Sequence, residues 1–384
     1  MSLPALTPEE IARYSRHLLL PQVGMRGQQK LKAASVLIVG AGGLGSPIAM
    51  YLAAAGVGRI GLVDYDRVEI SNLQRQVLYS ETDLQFPKAE KAAERISATN
   101  SLIRVEGIVE QFNSTNAARI SQGYDILVDG TDNLPTRYLL NDLAVLTHRP
   151  YVYGSIFRFE GQVSIFGLAG QPCYRCLFPE PPPPGAIPSC ASAGVMGVLP
   201  GIIGSMQAAE VIKLITGIGE LLSGKLLLFD ALDMRADTVR VSKKDSCPVC
   251  GTKPSIHILQ DYEAWCGSRI GEDFGLPATP YDISPEDLKQ LMDANPAVLL
   301  LDVREEFERQ ISALSGSVHI PLPELMERQN TLPHDRPIVA YCRNGVRSQE
   351  AARLLTAAGF ADARHLVGGI NAWAEKVDPT IPVY

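Results

Sequence analysis

Ser35-Val36-Leu37-Ile38-Val39-Gly40-Ala41-Gly42-Gly43-Leu44-Gly45 decides the fold of this chain. Val36 to Val39 is apolar without alternation, the pattern of a strand buried on both faces in a parallel sheet. The glycines that follow fit G-x-G-x-x-G. They permit a tight turn, let backbone approach a phosphate, and open a helix whose N-terminus favours negative charge. The helical pattern runs over 46–55 and Gly56 stops it. Arg59-Ile60-Gly61-Leu62-Val63-Asp64 supplies the next strand and completes a βαβ unit. Asp64 ends that strand, about twenty residues on, where an acid that binds a ribose hydroxyl is expected.

Outward from this unit, further strands are expected at 124–129, 151–155, 161–166 and 226–231, with a long apolar helix over 198–216. The run Pro179-Glu-Pro-Pro-Pro-Pro-Gly-Ala-Ile-Pro188 reads as an extended or mobile loop. Gly, Pro and polar residues between 251 and 280 mark a seam. A second α/β module then opens at Ser284-Pro285-Glu286, with proline at the first helical position. It continues through the strand Val298-Leu-Leu-Leu-Asp302, a strand at 337–340 and a helix over 349–358. The expected fold class is α/β. A Rossmann-like domain with a mainly parallel sheet (1–255) is followed by a linker (256–279) and a small α/β domain (280–384).

With 384 residues, 46% hydrophobic and 20% charged, the chain has ample material for two cores and too little charge for disorder. A net charge of −7 argues against nucleic acid as a partner. No apolar run approaches the ~20 residues that span a bilayer, and Met1 to Glu10 carries no signal pattern. The expectation is a soluble cytoplasmic protein without a membrane partner. Seven cysteines in such a chain read as metal ligands and reactive thiols rather than disulfides.

The glycine loop alone suits a nicotinamide dinucleotide as well as a mononucleotide. Asp66, Asn72, Gln74, Arg75 and Lys88 follow Asp64 closely, and Thr131-Asp132-Asn133 follows the strand at 124–129. Hydride transfer needs an apolar pocket. Breaking a triphosphate needs cations to neutralise charge and a carboxylate to hold Mg²⁺. These residues, together with Arg13-Tyr14-Ser15-Arg16-His17, Gly40–Gly45, Ser71-Asn72-Leu73-Gln74-Arg75-Gln76 and Gly130-Thr131-Asp132-Asn133, carry a resemblance. Over about residues 10 to 250 the chain resembles the bacterial ubiquitin-activating-type enzymes that adenylate sulfur-carrier proteins. These are the molybdopterin-synthase and thiamine-biosynthesis adenylyltransferases, the MoeB/ThiF type. The resemblance implies a homodimer with two ATP sites. It implies ATP bound by Gly43, Asp64, Asn72, Gln74, Arg75, Lys88, Asp132 and Asn133, with Asp132 near Mg²⁺ and Arg16 reaching the partner subunit's phosphates.

Cys173-x-x-Cys176 has a mate in Cys247-x-x-Cys250, and two such pairs can make a tetrahedral Zn²⁺ site. A redox-active pair is the rival for either motif alone; the resemblance also implies zinc. Cys190, in Ser189-Cys190-Ala191-Ser192, reads as a small buried hydrophobe or as a thiol free to move beside the proline run. The resemblance implies that it takes the activated carrier as a thioester or acyl disulfide.

Tyr341-Cys342-Arg343-Asn344-Gly345-Val346-Arg347-Ser348 places a cysteine between a strand and a helix, beside backbone N–H groups and two arginines, which suits a sulfur anion. Tyrosine phosphatases use a similar cradle with five residues between cysteine and arginine. Four separate Cys342 from Arg347, and the smaller ring suits one sulfur atom. With Leu301-Asp302-Val303-Arg304, Gly316-Ser317-Val318-His319-Ile320-Pro321 and Leu366-Val367-Gly368-Gly369-Ile370-Asn371-Ala372-Trp373, residues 280–384 resemble a rhodanese domain. That implies a persulfide on Cys342 whose terminal sulfur is held by the loop and Arg347. The joint expectation has Arg16, Arg75, Lys88 and Mg²⁺ assisting adenylation of a ubiquitin-like sulfur carrier ending in Gly-Gly. Sulfur from thiosulfate or a cysteine desulfurase is then transferred to give a thiocarboxylate. An NAD(P)-dependent oxidoreductase, or a carrier-binding scaffold with an inert C-terminal domain, are the competing readings.

Overall fold

The structure, a computed structural model, describes residues 3–181, 194–266 and 279–384. The chain divides into two compact units, Met1–Ile270 and Gly271–Tyr384.

The first unit is built on eight strands: β1 (Ser35–Val39), β2 (Arg59–Val63), β3 (Arg104–Ile108), β4 (Ile126–Asp129), β5 (Tyr151–Phe157), β6 (Glu160–Phe166), β7 (Lys225–Asp230) and β8 (Arg235–Arg240). Their order in the sheet is β3-β2-β1-β4-β5-β6-β7-β8. From β3 to β5 all neighbours are parallel; β5 to β8 form an antiparallel meander. β1 is buried at every position, as its unbroken apolar run requires. β3 lies outside the strands expected from sequence. Arg104-Val-Glu-Gly-Ile108 sits at the sheet edge, is only partly buried, and so carries no apolar run to read. β8, the opposite edge, is exposed at all six residues.

Two glycines decide how closely the central strand ends meet. Gly40 has φ +92°, and a Cβ there would stand 2.6 Å from the carbonyl carbon of Gly130. A Cβ on Gly130 would lie 2.2 Å from the Gly40 oxygen. Only the absence of side chains lets the loops after β1 and β4 touch. Tyr262–Cys266, within the stretch expected to be linker, instead forms a short helix against the helix Leu134–Leu146. Tyr262 donates to Asp142 Oδ2 at 2.7 Å, and the Trp265 ring lies 4.9 Å edge-on to Tyr138. These two aromatics bury enough surface to hold the segment on the first core.

The second unit holds five parallel strands: β9 (Asp282–Ile283), β10 (Leu299–Asp302), β11 (Val318–His319), β12 (Ile338–Tyr341) and β13 (Ala363–Leu366), in the order β11-β10-β12-β13-β9. The helix Pro285–Ala294 starts as expected, with Ser284 Oγ accepting from Asp287 N at 3.0 Å. Alternation along β12 sends Val339 and Tyr341 to one core, and Ala340 to the other. Cys342 continues that register and packs with Ala340 under the helix Val346–Ala357. Asp302 and Arg304, prominent in the sequence pattern, are a fully buried ion pair (Nη2 to Oδ2, 2.6 Å).

Candidate active site

Where the chain turns from the β1-β2-β3 side of the sheet to β4, the ends of parallel strands leave a crevice. A cleft of about 300 Å³ lies there. It is lined by Gly43, Asp64, Asn72, Arg75, Lys88, Asp132 and Asn133, so seven of the expected nucleotide residues converge. Gln74 and Arg16 do not line it. Gln74 lies against Gly197, and Arg16 is exposed on the short helix Ser15–Leu18.

Asp64 is fixed by the glycine loop it serves. Its Oδ2 accepts from Ala41 N and its Oδ1 from Asp66 N, both at 2.8 Å. Burial pushes its carboxyl up, while the nearby Lys88 ammonium opposes that shift. Lys88 opens the helix Lys88–Thr99, is 5% exposed, and holds Asp66 Oδ2 at 2.9 Å. A buried ammonium has three donors, and Asp66 is its one side-chain partner among the described residues. Arg75 is braced from its own turn, Nη1 donating to Ser71 O at 3.0 Å. Asn133 has a structural duty as well: its oxygen caps the helix Leu134–Leu146, accepting from Thr136 N at 3.0 Å.

Gln76, Glu110, Gln111 and Thr136 also line the cleft and were not expected. Glu110 and Gln111 follow β3 and were hidden with it. Asn72 Oδ1 and Gln76 Oε1 are buried without a partner. Such acceptors cost about 1–3 kcal/mol each unless a ligand or water meets them. Five carboxylates (Asp64, Asp66, Glu69, Glu110, Asp132) face three cations (Arg67, Arg75, Lys88) across the lining. Burial, then Asp66, Asp64 and Asp132, push the Tyr65 phenol up to about 12. Asp132, exposed at the wall of this acidic lining, is a carboxylate of the kind that holds a divalent cation.

The four thiols of Cys173, Cys176, Cys247 and Cys250 lie within 4.8 Å of one another. The Sγ atoms of Cys173 and Cys247 are 3.5 Å apart, and those of Cys176 and Cys250 are 3.4 Å apart. Each C-x-x-C bends tightly: Cys176 N donates to Cys173 O at 2.9 Å, and Gly251 N to Cys247 O at 3.0 Å. Four buried or half-buried sulfurs converging on one point fit the donor set of a tetrahedral Zn²⁺. Cys190 lies outside the described residues.

In the second unit Cys342 is fully buried. Its sulfur accepts from Gly345 N at 3.2 Å and from Ser348 Oγ at 3.5 Å. The helix after it starts at Val346, three residues before the apolar pattern suggests, because Gly345 takes φ +97° and turns the chain at once. Arg347 makes no hydrogen bond to that sulfur among the described residues: both its Nη atoms bind Glu308, at 2.6 Å each, while its charge still acts on Cys342 through space. Burial pushes the Glu308 carboxyl up, but the Arg347 fork overcomes this and holds it low.

The ThiF family model matches residues 14–249, and a rhodanese-like domain model matches 284–376. The chain is 47% identical to "Probable adenylyltransferase/sulfurtransferase MoeZ" of Mycobacterium tuberculosis, covering 99% of this chain and 97% of that one. It is 43% identical to "Adenylyltransferase and sulfurtransferase MOCS3" of Mus musculus, over 99% and 88%. Among solved structures, Escherichia coli MccB with ATP aligns at a TM-score of 0.56 and 26% identity, over 62% of this chain and 73% of MccB. MccB bound to MccA-N7isoASN aligns at the same TM-score, 0.56.

Proposed function

Because the chain belongs to the ThiF family and carries a rhodanese-like domain after it, we propose that it adenylates a ubiquitin-like sulfur carrier and then moves sulfur onto it. Its relatives are adenylyltransferase/sulfurtransferases along nearly their whole length. The observation that carries the reading is the acidic, cation-studded cleft at the strand switch.

In the first step, an oxygen of the carrier's C-terminal glycine carboxylate attacks the α-phosphorus of ATP, and pyrophosphate leaves. Asp64 accepts from the ribose, and the Gly40–Gly45 backbone lies along the phosphates. Lys88 and Arg75, with Arg16 from a second subunit of a homodimer, oppose the charge that builds on the transferring phosphate. A Mg²⁺ held at Asp132 would supply charge neutralisation at the phosphates. A nicotinamide would need an apolar recess, whereas here Val39, Leu44, Val63, Phe112 and Ile156 share the lining with five carboxylates and three cations, which suits a charged triphosphate better.

In the second step, the terminal sulfur of a Cys342 persulfide attacks the acyl carbon and AMP leaves. The product is an acyl disulfide between Cys342 and the carrier. Cys190 then attacks the Cys342 sulfur; a Cys190–Cys342 disulfide forms and the carrier departs as a thiocarboxylate. Reduction of that disulfide by a cellular thiol resets the chain. Sulfur enters from a cysteine desulfurase or from thiosulfate. Zn²⁺ on the four thiols would act as a structural staple. Six described cysteines are free, which suits the reducing cytoplasm, and among the described residues no helix is long and apolar enough to cross a membrane.

Two measurements test the steps separately. Asp132→Ala should abolish carrier-dependent ATP–pyrophosphate exchange, and full exchange in that variant refutes the nucleotide assignment. Cys342→Ala should abolish thiocarboxylate formation from a sulfane donor while exchange persists. A gain of one sulfur on the carrier in that variant removes Cys342 from the path.

A further inference from the structure

The loop arginine next to the reactive cysteine does not meet the sulfur with its charge free. Arg347 is the second residue of the helix Val346–Ala357, and its two Nη atoms are taken by the two oxygens of Glu308. Glu308 is itself immobilised. It closes a capping box on the short helix Glu306–Arg309, with Glu305 N donating to its Oε2 at 3.0 Å. Its carbonyl oxygen accepts from Arg304 Nη1 at 3.4 Å. Its side chain is 9% exposed, against 34% for Arg347. Arg304 cannot compensate by freeing its own charge, because Asp302 takes its Nε and Nη2. Among the described residues, the hydrogen-bond donors at the Cys342 sulfur are a backbone N–H and a hydroxyl, both neutral, and Arg347 acts on it only through space.

We infer that Glu308 is a positioning residue that sets donor specificity: it holds Arg347 and cancels its charge, so the loop stabilises a monoanionic persulfide and discriminates against small dianions. The inference rests on the sulfur-transfer reading above. Neutral N–H groups around a buried sulfur suffice for one negative charge. A dianion such as thiosulfate needs a net cation beside it. In its loading step the Cys342 thiolate attacks the sulfane sulfur, the S–S bond of thiosulfate breaks, and sulfite leaves with the electron pair. The carboxylate of Glu308 opposes entry of that donor. A persulfide delivered on another thiol meets no such opposition.

The test uses the full chain in a thiosulfate:cyanide assay with four variants. Glu308→Gln keeps the shape and removes the charge; KM for thiosulfate should fall about tenfold, a figure discounted for the partial exposure of Arg347. Glu308→Asp should stay near wild type. Arg347→Gln should raise KM by a similar factor. The double variant Glu308→Gln/Arg347→Gln, which removes a neutral pair, should return within about threefold of wild type. A merely structural Glu308 would give the opposite result: KM raised in Glu308→Gln, with the double variant no better than Arg347→Gln. Either finding overturns the inference, and the comparison of Arg347→Gln with the double variant stands even if Glu308→Gln fails to fold. Mass spectrometry separates the levels. If wild type gains no sulfur at Cys342, the sulfur-transfer reading falls and takes this inference with it. A loaded Cys342 whose KM ignores Glu308→Gln sinks this inference alone.

Discussion

Removing metal from the four-cysteine cluster should loosen the first unit and leave the second unchanged. About seventy residues lie between Cys176 and Cys247. They include the helix Leu199–Thr216, which packs on the helix Gly45–Ala54 that opens at the glycine loop. A cross-link closing a loop of that length restrains the unfolded chain by about 4 kcal/mol at 25 °C in the chain-entropy view. Domains are stable by about 5–15 kcal/mol, so a metal held by the four thiols would supply a large share. In a unit of this size each kcal/mol moves Tm by about 2–4 °C. Chelation should therefore lower the first calorimetric transition by about 10 °C, with metal content followed by elemental analysis. The second unit has its own sheet and cores and serves as the internal reference. Fully stripped protein whose first transition moves by less than about 2 °C would refute the argument, as would fresh protein without zinc.

Lys88→Met should keep the fold, because the methylene stem stays buried, yet lower ATP–pyrophosphate exchange by about a hundredfold, the scale of losing one charged transition-state partner. Exchange within about threefold of wild type would remove Lys88 from the mechanism. Arg304→Met leaves Asp302 buried and unpaired, and should destabilise the second unit by about 3–5 kcal/mol in urea titration while the first transition holds. Tyr341 predicts an alkaline limit. Burial, then Asp302, push its phenol up to about 12 from an ordinary 10. A group raised on folding contributes stability that is whole below pH 10 and lost as pH rises through the folded value. The second unit should thus weaken between pH 10 and pH 12, and Tyr341→Phe should flatten that slope. An unchanged slope in the variant would exclude Tyr341 as its source.

The sequence carried the parts of the fold that repeat a period or a spacing. β1, the glycine loop and Asp64 are legible because burial on both faces leaves an unbroken apolar run and a fixed interval to the next strand end. The four cysteines are legible because two short spacings repeat. β3 escaped because an edge strand is half exposed, and with it went Glu110 and Gln111. Tyr262–Cys266 escaped because its anchors, Asp142 and Tyr138, lie over a hundred residues earlier. Glu308 escaped for the same reason: its pairing with Arg347 spans 39 positions and is made by the sheet, which no local pattern records. The sequence pattern assigns Arg347 to the sulfur; the fold shows that its guanidinium is also shared with a carboxylate.

The contact between Gly40 and Gly130 has a bearing on how this chain can change over generations. A methyl group at either position strikes main chain of the opposing loop, and main chain offers no smaller substitute. Trimming a neighbouring side chain does not make the room, because the atoms struck belong to the backbone. Variation is therefore channelled outward, to walls such as Tyr65 and Gln111, where exchanging a side chain alters what is admitted without moving the floor. Exchange at those walls can change what the cleft admits, whereas replacing either glycine forces main chain to move.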